Sequence, residues 1–428
     1  MERAGMAGLA LALGAAAAVA ESPSPLPRPL TLEAALAYAD APHPDLALAR
    51  AGIARARSHV LEAEARTGVQ SFADITPEWA NPTTQSSGID DSRARLVLAK
   101  PLYDFGRSRA FEQSASAAFD AAEQLYIDAR ARRRLDIMAR FFDVLLADMR
   151  YAVLNEDMAQ KYVSFDRRRE RHALGQVSDV DLLEAENVYR EALDLRTDAQ
   201  KRQAAARLAL AIAMGRPDSL PGELAPPALP AEREAPDYRN LLEQARKANP
   251  ALAARRRSLE AARAALDAER ARRRPTLTGE IEAATWEREL ASRNDARATL
   301  NLRIPLYQGA ELDAAITRAA AELAAEEARM RADEQALAQA ALDLVQAVEA
   351  LKVRRETARQ RLAFRDLYLD RSRALYEMEV RTDLGDALTR LTEAQWLAAA
   401  ADYELVLTWA KIDALTGRLV PPAREVSR

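Results

Sequence analysis

Two stretches in the second half of the chain, residues 277–283 and 297–306, alternate apolar and polar side chains with a period of two. This alternation predicts β-strands that have one apolar and one polar face. The first half carries a weaker version of the pattern at 75–79 and 94–98, on either side of the turn-rich stretch NPTTQSSGIDD. The sequence therefore predicts one strand pair in each half.

Each predicted strand pair is followed by a long segment without helix breakers. Neither glycine nor proline occurs between Gly106 and Gly175 or between Gly309 and Gly385. About 70 residues of helix would extend ~100 Å. Apolar residues in both segments recur at alternating steps of three and four, the spacing of a coiled-coil seam. The seam residues are Leu135, Met138, Phe142, Leu145 and Met149 in the first segment and Leu337, Ala341, Leu344, Val348 and Leu351 in the second.

Shorter helices are predicted before and after each long one. The pairs His43-Pro44 and Asn249-Pro250 open the first of them, because proline suits the first helical position. After each long helix a tip leads into a return helix. Gly175 suits a left-handed C-terminal cap, and Ser178 or Asp179 suits the N-cap of the return helix. The two shorter helices of a unit would together extend about 90 Å, so we predict that they stack end to end beside the long one.

The chain divides at the segment GRPDSLPGELAPPALPAEREAP, whose prolines and glycines are typical of a linker. Because the same order of elements occurs on either side, we interpret the chain as two copies of one unit. The first repeat covers 21–214, with a strand pair at about 70–103, a long helix at about 104–174 and a return helix at about 179–214. After the linker at 215–236, the second repeat covers 237–416, with the corresponding elements at about 275–307, 308–380 and 383–416, and a tail at 417–428.

Composition agrees with long packed helices. The 428 residues are 49% hydrophobic but only 5% aromatic, and 29% are charged, a mixture typical of helices rich in Ala, Leu, Glu and Arg. The net charge of −4 gives no excess that would favour nucleic acid as a partner. The absence of cysteine excludes disulfides, thiol catalysis and a lipidated N-terminal cysteine.

The N-terminus predicts export. Arg3, an apolar stretch from Leu9 to Val19 and the small-x-small site at 18–20 together predict a signal peptide at 1–20. No later run of about 18 apolar residues predicts a transmembrane helix. The three histidines have no metal-ligand spacing, and no hydrolase, P-loop or dinucleotide motif occurs. We therefore predict no catalytic residue, metal site or cofactor, and we do not expect an enzyme.

The junction between strand pair and long helix occurs twice, as PLYDFG from Pro101 and as PLYQGA from Pro305. With the HP and NP helix starts and the tips LGQVSDVDLLEAE and VRTDLGDALTRLTEAQ, it makes the chain resemble the TolC-like outer-membrane efflux proteins. The resemblance covers essentially the whole mature chain. It implies a mainly α fold with a small β part: a duplicated coiled-coil tunnel of long helices, plus four strands per protomer in a trimeric twelve-stranded outer-membrane barrel. Members often have two glycines at this junction, and here each copy has one.

The resemblance also implies a function. Such a protein is the outer-membrane exit duct of a tripartite efflux or secretion system, a passive conduit whose tunnel projects into the periplasm and ends in a gated tip. The implied partners are two further copies of the chain in a homotrimer, a periplasmic adaptor, an inner-membrane transporter of RND or ABC type, and outer-membrane lipid. Nucleic acid is not among the partners.

Residue roles follow from the same resemblance. The barrel-to-tunnel junction would comprise Pro101, Leu102, Tyr103, Gly106, Pro305, Leu306, Tyr307 and Gly309. The tips that would contact the adaptor are Gly175, Val177, Ser178, Val380, Arg381 and Thr382, which also fit a purely structural role as turn residues.

Acidic residues near the second tip would ring the periplasmic aperture of the tunnel. The candidates are Asp383 and Asp386, with Asp179 and Asp181 of the first tip as a second set. Three copies of the first pair would gather six carboxylates, which would favour cations and create a divalent-ion site. Acids also complement the dipole at any helix N-terminus, so both interpretations stay open here.

Two other functions also stay open at this point. A periplasmic adaptor is likewise exported and coiled-coil, but adaptors usually build small β-domains from one hairpin. A purely structural coiled-coil protein would not need the strand alternation at 277–283 and 297–306.

Overall fold

The computed structural model describes residues 26–79, 92–229, 233–286, 295–378 and 384–420. The predicted signal peptide and the tip residues Val380, Arg381, Thr382 and Asp383 lie outside these ranges. The helices are α1 (Leu32–Ala37), α2 (Pro44–Ala65), α3 (Arg107–Ala173), α4 (Asp179–Ala213), α5 (Tyr238–Ala248), α6 (Pro250–Ala271), α7 (Gly309–Glu377) and α8 (Leu384–Leu415), with a short 3-10 helix at Tyr38–Asp40.

The strands form one four-stranded antiparallel sheet, in the order β1 (Gln70–Thr76), β2 (Arg93–Tyr103), β3 (Thr276–Trp286) and β4 (Ala296–Arg303). Each repeat contributes one strand pair, and the β2–β3 pairing joins the two repeats. The alternation at 297–306 predicts a strand that continues to residue 306. In the structure β4 ends at Arg303, where the chain leaves the sheet.

Helices α3 and α7 have 67 and 69 residues, so each extends about 100 Å. In the first repeat α2 and α4 both pack along α3, and in the second repeat α6 and α8 both pack along α7. His43 and Asn249 cap α2 and α6, as the prolines at 44 and 250 predict. Where α8 ends and α6 begins, Asn249 Nδ2 donates to the Leu415 carbonyl oxygen at 3.1 Å. In the second repeat the shorter helices are therefore stacked end to end.

The two repeats also pack on each other, because α3 contacts both α6 and α8. Phe142 of α3 stacks on Tyr403 of α8, with ring centroids 4.9 Å apart. Most of the predicted coiled-coil seam is buried, and Leu135, Met149 and Leu344 are half-buried. The protomer is thus a layer of four columns: α2 with α4, then α3, then α6 with α8, and finally α7.

Two further helices lie beside the join between the stacked helices. Thr31 caps α1, which packs on α3, and Asp237 caps α5, which packs on α7. The linker contributes one parallel bridge, Leu30 to Leu224. No helix in the described ranges has both the length and the apolar character needed to cross a membrane.

Candidate functional site

The sheet has two chemically different faces. Residues that pair directly across neighbouring strands point to the same face. On one face this register places the apolar side chains Ala73, Ile75, Ala94, Leu96, Leu98, Ile281, Ala283, Ala298, Leu300 and Leu302. Ile75 is 77% and Leu300 is 72% exposed, so the described part of the protomer leaves this apolar face uncovered.

The opposite face carries a row of alternating charge across all four strands. Asp74 of β1 pairs with Arg95 of β2 at 2.7 Å, and Arg95 lies 3.9 Å from Glu282 of β3. Glu282 in turn accepts from Arg297 of β4 at 2.9 Å. Because Asp74 and Glu282 in this row each have a guanidinium beside them, this face is stable in contact with water and unsuited to hydrocarbon.

The first junction turns the chain from β2 into α3. Pro101, Leu102 and Tyr103 end β2 with an irregular register, and Gly106 precedes α3 with φ of +96°. Asp104 organises the turn: its carboxylate accepts from the backbone N–H groups of Gly106 at 3.2 Å and Ser108 at 2.7 Å. The side chain of Asp104 thus satisfies two of the free N–H groups at this helix start.

The second junction is more open. Pro305, Leu306 and Tyr307 lie in irregular chain after β4, and Leu306 is 94% exposed. Gly309 begins α7 with φ of +64°. Both junction glycines therefore have backbone angles that other residues adopt only with strain.

The first tip is closed by local hydrogen bonds. Gly175 ends α3 with φ of +71°, and its N–H donates to the His172 carbonyl oxygen at 2.8 Å. Ser178 caps α4 by accepting from the Asp181 N–H at 3.2 Å, and Asp181 accepts from the Ser178 hydroxyl at 2.7 Å. Asp179 contacts His172 Nε2 at 2.6 Å. Both acids of this tip are engaged in local contacts.

The start of α8 contains the one predicted aperture residue that the structure describes at the second tip. Asp386 lies in the first turn of α8, is exposed, and approaches Arg390 at 3.3 Å. Asp383, its predicted companion, lies outside the described residues. One residue before Asp386, the carbonyl oxygen of Gly385 accepts a hydrogen bond from Gln160 of α3. This contact anchors α8 to the first repeat close to the tip.

Sequence reasoning missed several of these residues. Asp104 had a local signal, since an aspartate four positions before Ser108 at a helix start can cap it. No local sequence signal indicates the charge row through Arg95 or the contact of Gln160 with Gly385, because the residues in contact lie in distant segments. Within the described ranges, no group of three or more His, Asp or Glu side chains is placed to hold a metal ion.

Comparison with known proteins gives one family match and one curated relative. The model of the outer membrane efflux protein family matches residues 241–418, which is most of the second repeat. Protein CyaE of Bordetella pertussis is 29% identical over 249 residues, covering 56% of this chain and 52% of that protein. The chain thus spans about half the length of this relative.

Solved structures match almost the whole chain. The Campylobacter jejuni CmeC outer membrane channel superposes with a TM-score of 0.76 at 12% identity, covering 92% of this chain and 87% of that one. The outer membrane protein VceC of Vibrio cholerae gives 0.73 at 19% identity, covering 91% and 97%. The open state of the Neisseria gonorrhoeae MtrE outer membrane channel gives 0.69 at 17%, covering 91% and 89%. At such identities the likeness establishes the fold.

Proposed function

Because this chain has the fold of the TolC-like outer-membrane channels and matches the outer membrane efflux protein family over residues 241–418, we propose that it is the exit duct of a tripartite export system. The duct is a passive conduit from the periplasm to the exterior. The observation that carries the proposal is the two-faced sheet: an uncovered apolar face lies back to back with a row of paired charges, on strands that continue into helices of about 100 Å.

The geometry of the sheet supports a trimer. Within the described ranges, β1 and β4 each pair with a strand on one side only. An open edge presents unpaired backbone N–H and C=O groups. Three copies of four strands would give twelve, enough to close a barrel without edges. The apolar face would then contact lipid, and the charge row through Arg95 would line a water-filled channel.

The helical layer supports the same assembly. Among the described helices, the α2–α4 column lies at one side of the layer and α7 at the other, and each packs mainly against the column next to it. Three layers joined side to side would form a closed wall around a tunnel continuous with the barrel. Protein of this shape would lie in the outer membrane with its tips in the periplasm.

The tips would meet the partner proteins. Around Gly175, Val177 and Ser178 the first tip exposes Leu174 to 71% and Val180 to 74%. Exposed apolar side chains at a helical turn favour contact with another protein, and a periplasmic adaptor serving an inner-membrane transporter of RND or ABC type fits that position. Asp386, with Asp383, would face the aperture and act on passing cations.

Assembly and conductance test this proposal together. The full chain, expressed with its N-terminal segment, should fractionate with the outer membrane and migrate as a trimer in mild SDS until heated. In planar bilayers the purified trimer should form stable ion-conducting channels. Recovery as a soluble periplasmic monomer would overturn the proposal and favour an adaptor instead.

A further inference from the structure

The apolar face of the sheet contains a groove at Gly279. Gly279 pairs with Lys100 on one side and with Leu300 on the other, so a missing side chain separates these two residues. Leu102 leans over the gap, and its Cδ1 atom lies 3.1 Å from where a Cβ of residue 279 would be. The groove has a volume of about 580 Å³, and Leu98, Ile281 and Leu300 are among its walls.

Lys100 lines the groove and is the one charged residue on the apolar face within the described strands. It is exposed, and no ion pair among the described residues involves it. Lys100 lies three residues before the end of β2, about 10 Å along the strand from the helical side. A lysine this close to the edge of a membrane can extend its ammonium group to the headgroup level.

Further positive charge lies just below the strands, on the helical side. Arg66 and Arg107 both lie over the Phe111 ring, with their guanidinium carbons 4.2 and 5.7 Å from its centroid. Arg274 donates to the Phe105 carbonyl oxygen at 2.6 Å. Burial lowers the pKa of Arg107, and the nearby cations Arg272 and Arg66 lower it further. Arg66, Arg107 and Arg274 thus place positive charge at the chain ends that adjoin β1, β2 and β3.

We propose that the Gly279 groove binds one acyl chain of an anionic phospholipid, with the lipid phosphate held at Lys100. The lining of the groove is mainly apolar, which fits a hydrocarbon chain. Glu280, whose side chain belongs to the opposite face, also borders the groove, but Lys100 is the one cation among the lining residues and fits a phosphate. The helices place Lys100 on the periplasmic side, so the lipid would come from the inner leaflet of the outer membrane. This inference rests on the proposed barrel.

Lipid retention by the purified full-length assembly tests the inference. Native mass spectrometry would compare phosphatidylglycerol, phosphatidylethanolamine and phosphatidylcholine with identical acyl chains. We expect the wild type to retain phosphatidylglycerol over phosphatidylcholine by about fivefold, the effect of one lysine near an anionic surface. Lys100→Gln should abolish most of this preference, and Lys100→Arg should keep it. Lys201→Gln, on the exposed surface of α4, is the matched control and should behave as wild type.

A second variant tests the groove separately from the charge. Leu300→Trp should fill the groove and reduce retention of all three lipids, because its side chain would occupy the space beside Gly279. Equal lipid preference in the wild type and Lys100→Gln would overturn the proposal. If Leu300→Trp does not assemble, the comparison of Lys100→Gln with Lys100→Arg still tests the lipid site.

The heated and unheated gel keeps the two proposals apart. If the wild type does not form a heat-sensitive trimer, the proposed function fails. If every variant forms the trimer and none shows a preference for phosphatidylglycerol, only the lipid site fails.

Discussion

The side-chain amide of Gln160 on α3 occupies the space that a Cβ atom at Gly385 of α8 would need. A Cβ built at residue 385 would lie 3.0 Å from Gln160 Cδ. The same amide nitrogen donates to the Gly385 carbonyl oxygen and to the Thr389 hydroxyl, the latter at 2.5 Å. Gln160 therefore holds the start of α8 against the first repeat.

This contact predicts a non-additive pair of substitutions. Gly385→Ala alone should lower the thermal midpoint of the helical region, because the new methyl group displaces the Gln160 amide and its hydrogen bonds, worth about 1 kcal/mol each. In a Gln160→Ala background the same change should cost nothing further, since the space is then free and alanine favours helix. Circular dichroism melting of all four proteins would measure this, and additive losses would contradict it.

The join between α8 and α6 depends on Gly417. Its φ is +70°, and a Cβ there would lie 2.4 Å from the Ala248 carbonyl oxygen. Gly417→Ala should therefore destabilise the protomer by more than about 1 kcal/mol, the strain of a left-handed residue alone. Gly52→Ala is the matched control: Gly52 lies within α2 with nothing within 4 Å of its Cβ position, so alanine should be neutral or stabilising. Equal thermal midpoints for the two variants would refute this account of the join.

The long helices and the strand pairs could be predicted because their signals are local. The absence of glycine and proline fixes α3 and α7 almost to the residue, and the period of two locates β3 and β4. Helix α5 was not predicted, although Asp237 after Pro236 is a usable N-cap signal. The resemblance to TolC-like outer-membrane efflux proteins is confirmed by the solved channel structures and the family match.

Contacts between the repeats could not be predicted. Gln160 is one polar residue among many on α3, and only the folded chain brings Gly385 within reach of it. The contacts of Arg95 could not be predicted either. Asp74 lies 21 residues before it on β1, and Glu282 lies on β3 of the other repeat. The roles assigned to the tip and aperture residues stay predictions.

Asp402 of α8 and Arg355 of α7 form a largely buried ion pair. The two are 2.6 Å apart with side chains only 18% and 14% exposed. Asp402→Leu alone should cost about 2 kcal/mol, because it leaves a largely buried guanidinium without its carboxylate. The double variant Arg355→Met/Asp402→Leu should recover most of that loss.

The exposed ion pair between Arg354 and Glu404 is the control for these variants. Arg354 precedes Arg355 on α7, and its guanidinium lies 2.9 Å from the Glu404 carboxylate. Arg354→Met should cost less than about 0.5 kcal/mol, because solvent screens an exposed pair. If the double variant at 355 and 402 melted lower than Asp402→Leu, the buried-charge explanation would be wrong.

Lowering the pH should change the stability contributions of Asp40 and Asp128 in opposite directions. The hydrogen bond from Arg130, at 2.7 Å, lowers the pKa of Asp40. The stability from this pair is therefore present above the ordinary aspartate pKa of 3.8 and is lost as pH falls through the lower folded pKa. Burial raises the pKa of Asp128, with Arg132 opposing. The ionised Asp128 thus costs stability above its folded pKa, and the cost disappears below 3.8.

Asparagine variants separate these two effects. Asp40→Asn should lower the thermal midpoint at pH 7, and its difference from the wild type should shrink in acid below pH 3.8. Asp128→Asn should raise the midpoint at pH 7 and lose this advantage as pH falls from the raised folded pKa of Asp128 to 3.8. Melting curves from pH 3 to pH 7 measure both midpoints. If both variants shifted the midpoint in the same direction at pH 7, the local charges around Asp40 and Asp128 would not explain their effects on stability.

The last prediction concerns the start of α8, where Asp386 is exposed in the first turn. If Asp383 and Asp386 ring the aperture of a trimer, their carboxylates attract cations, and divalent ions most strongly. Asp383→Asn/Asp386→Asn should then reduce cation selectivity in planar bilayers and weaken block by divalent ions about tenfold or more, since affinity rises with the number of charged ligands. Asp179→Asn at the first tip, whose carboxylate already contacts His172 at 2.6 Å, should change both much less. Unchanged selectivity and block in the Asp383→Asn/Asp386→Asn variant would mean that these acids only complement the helix dipole.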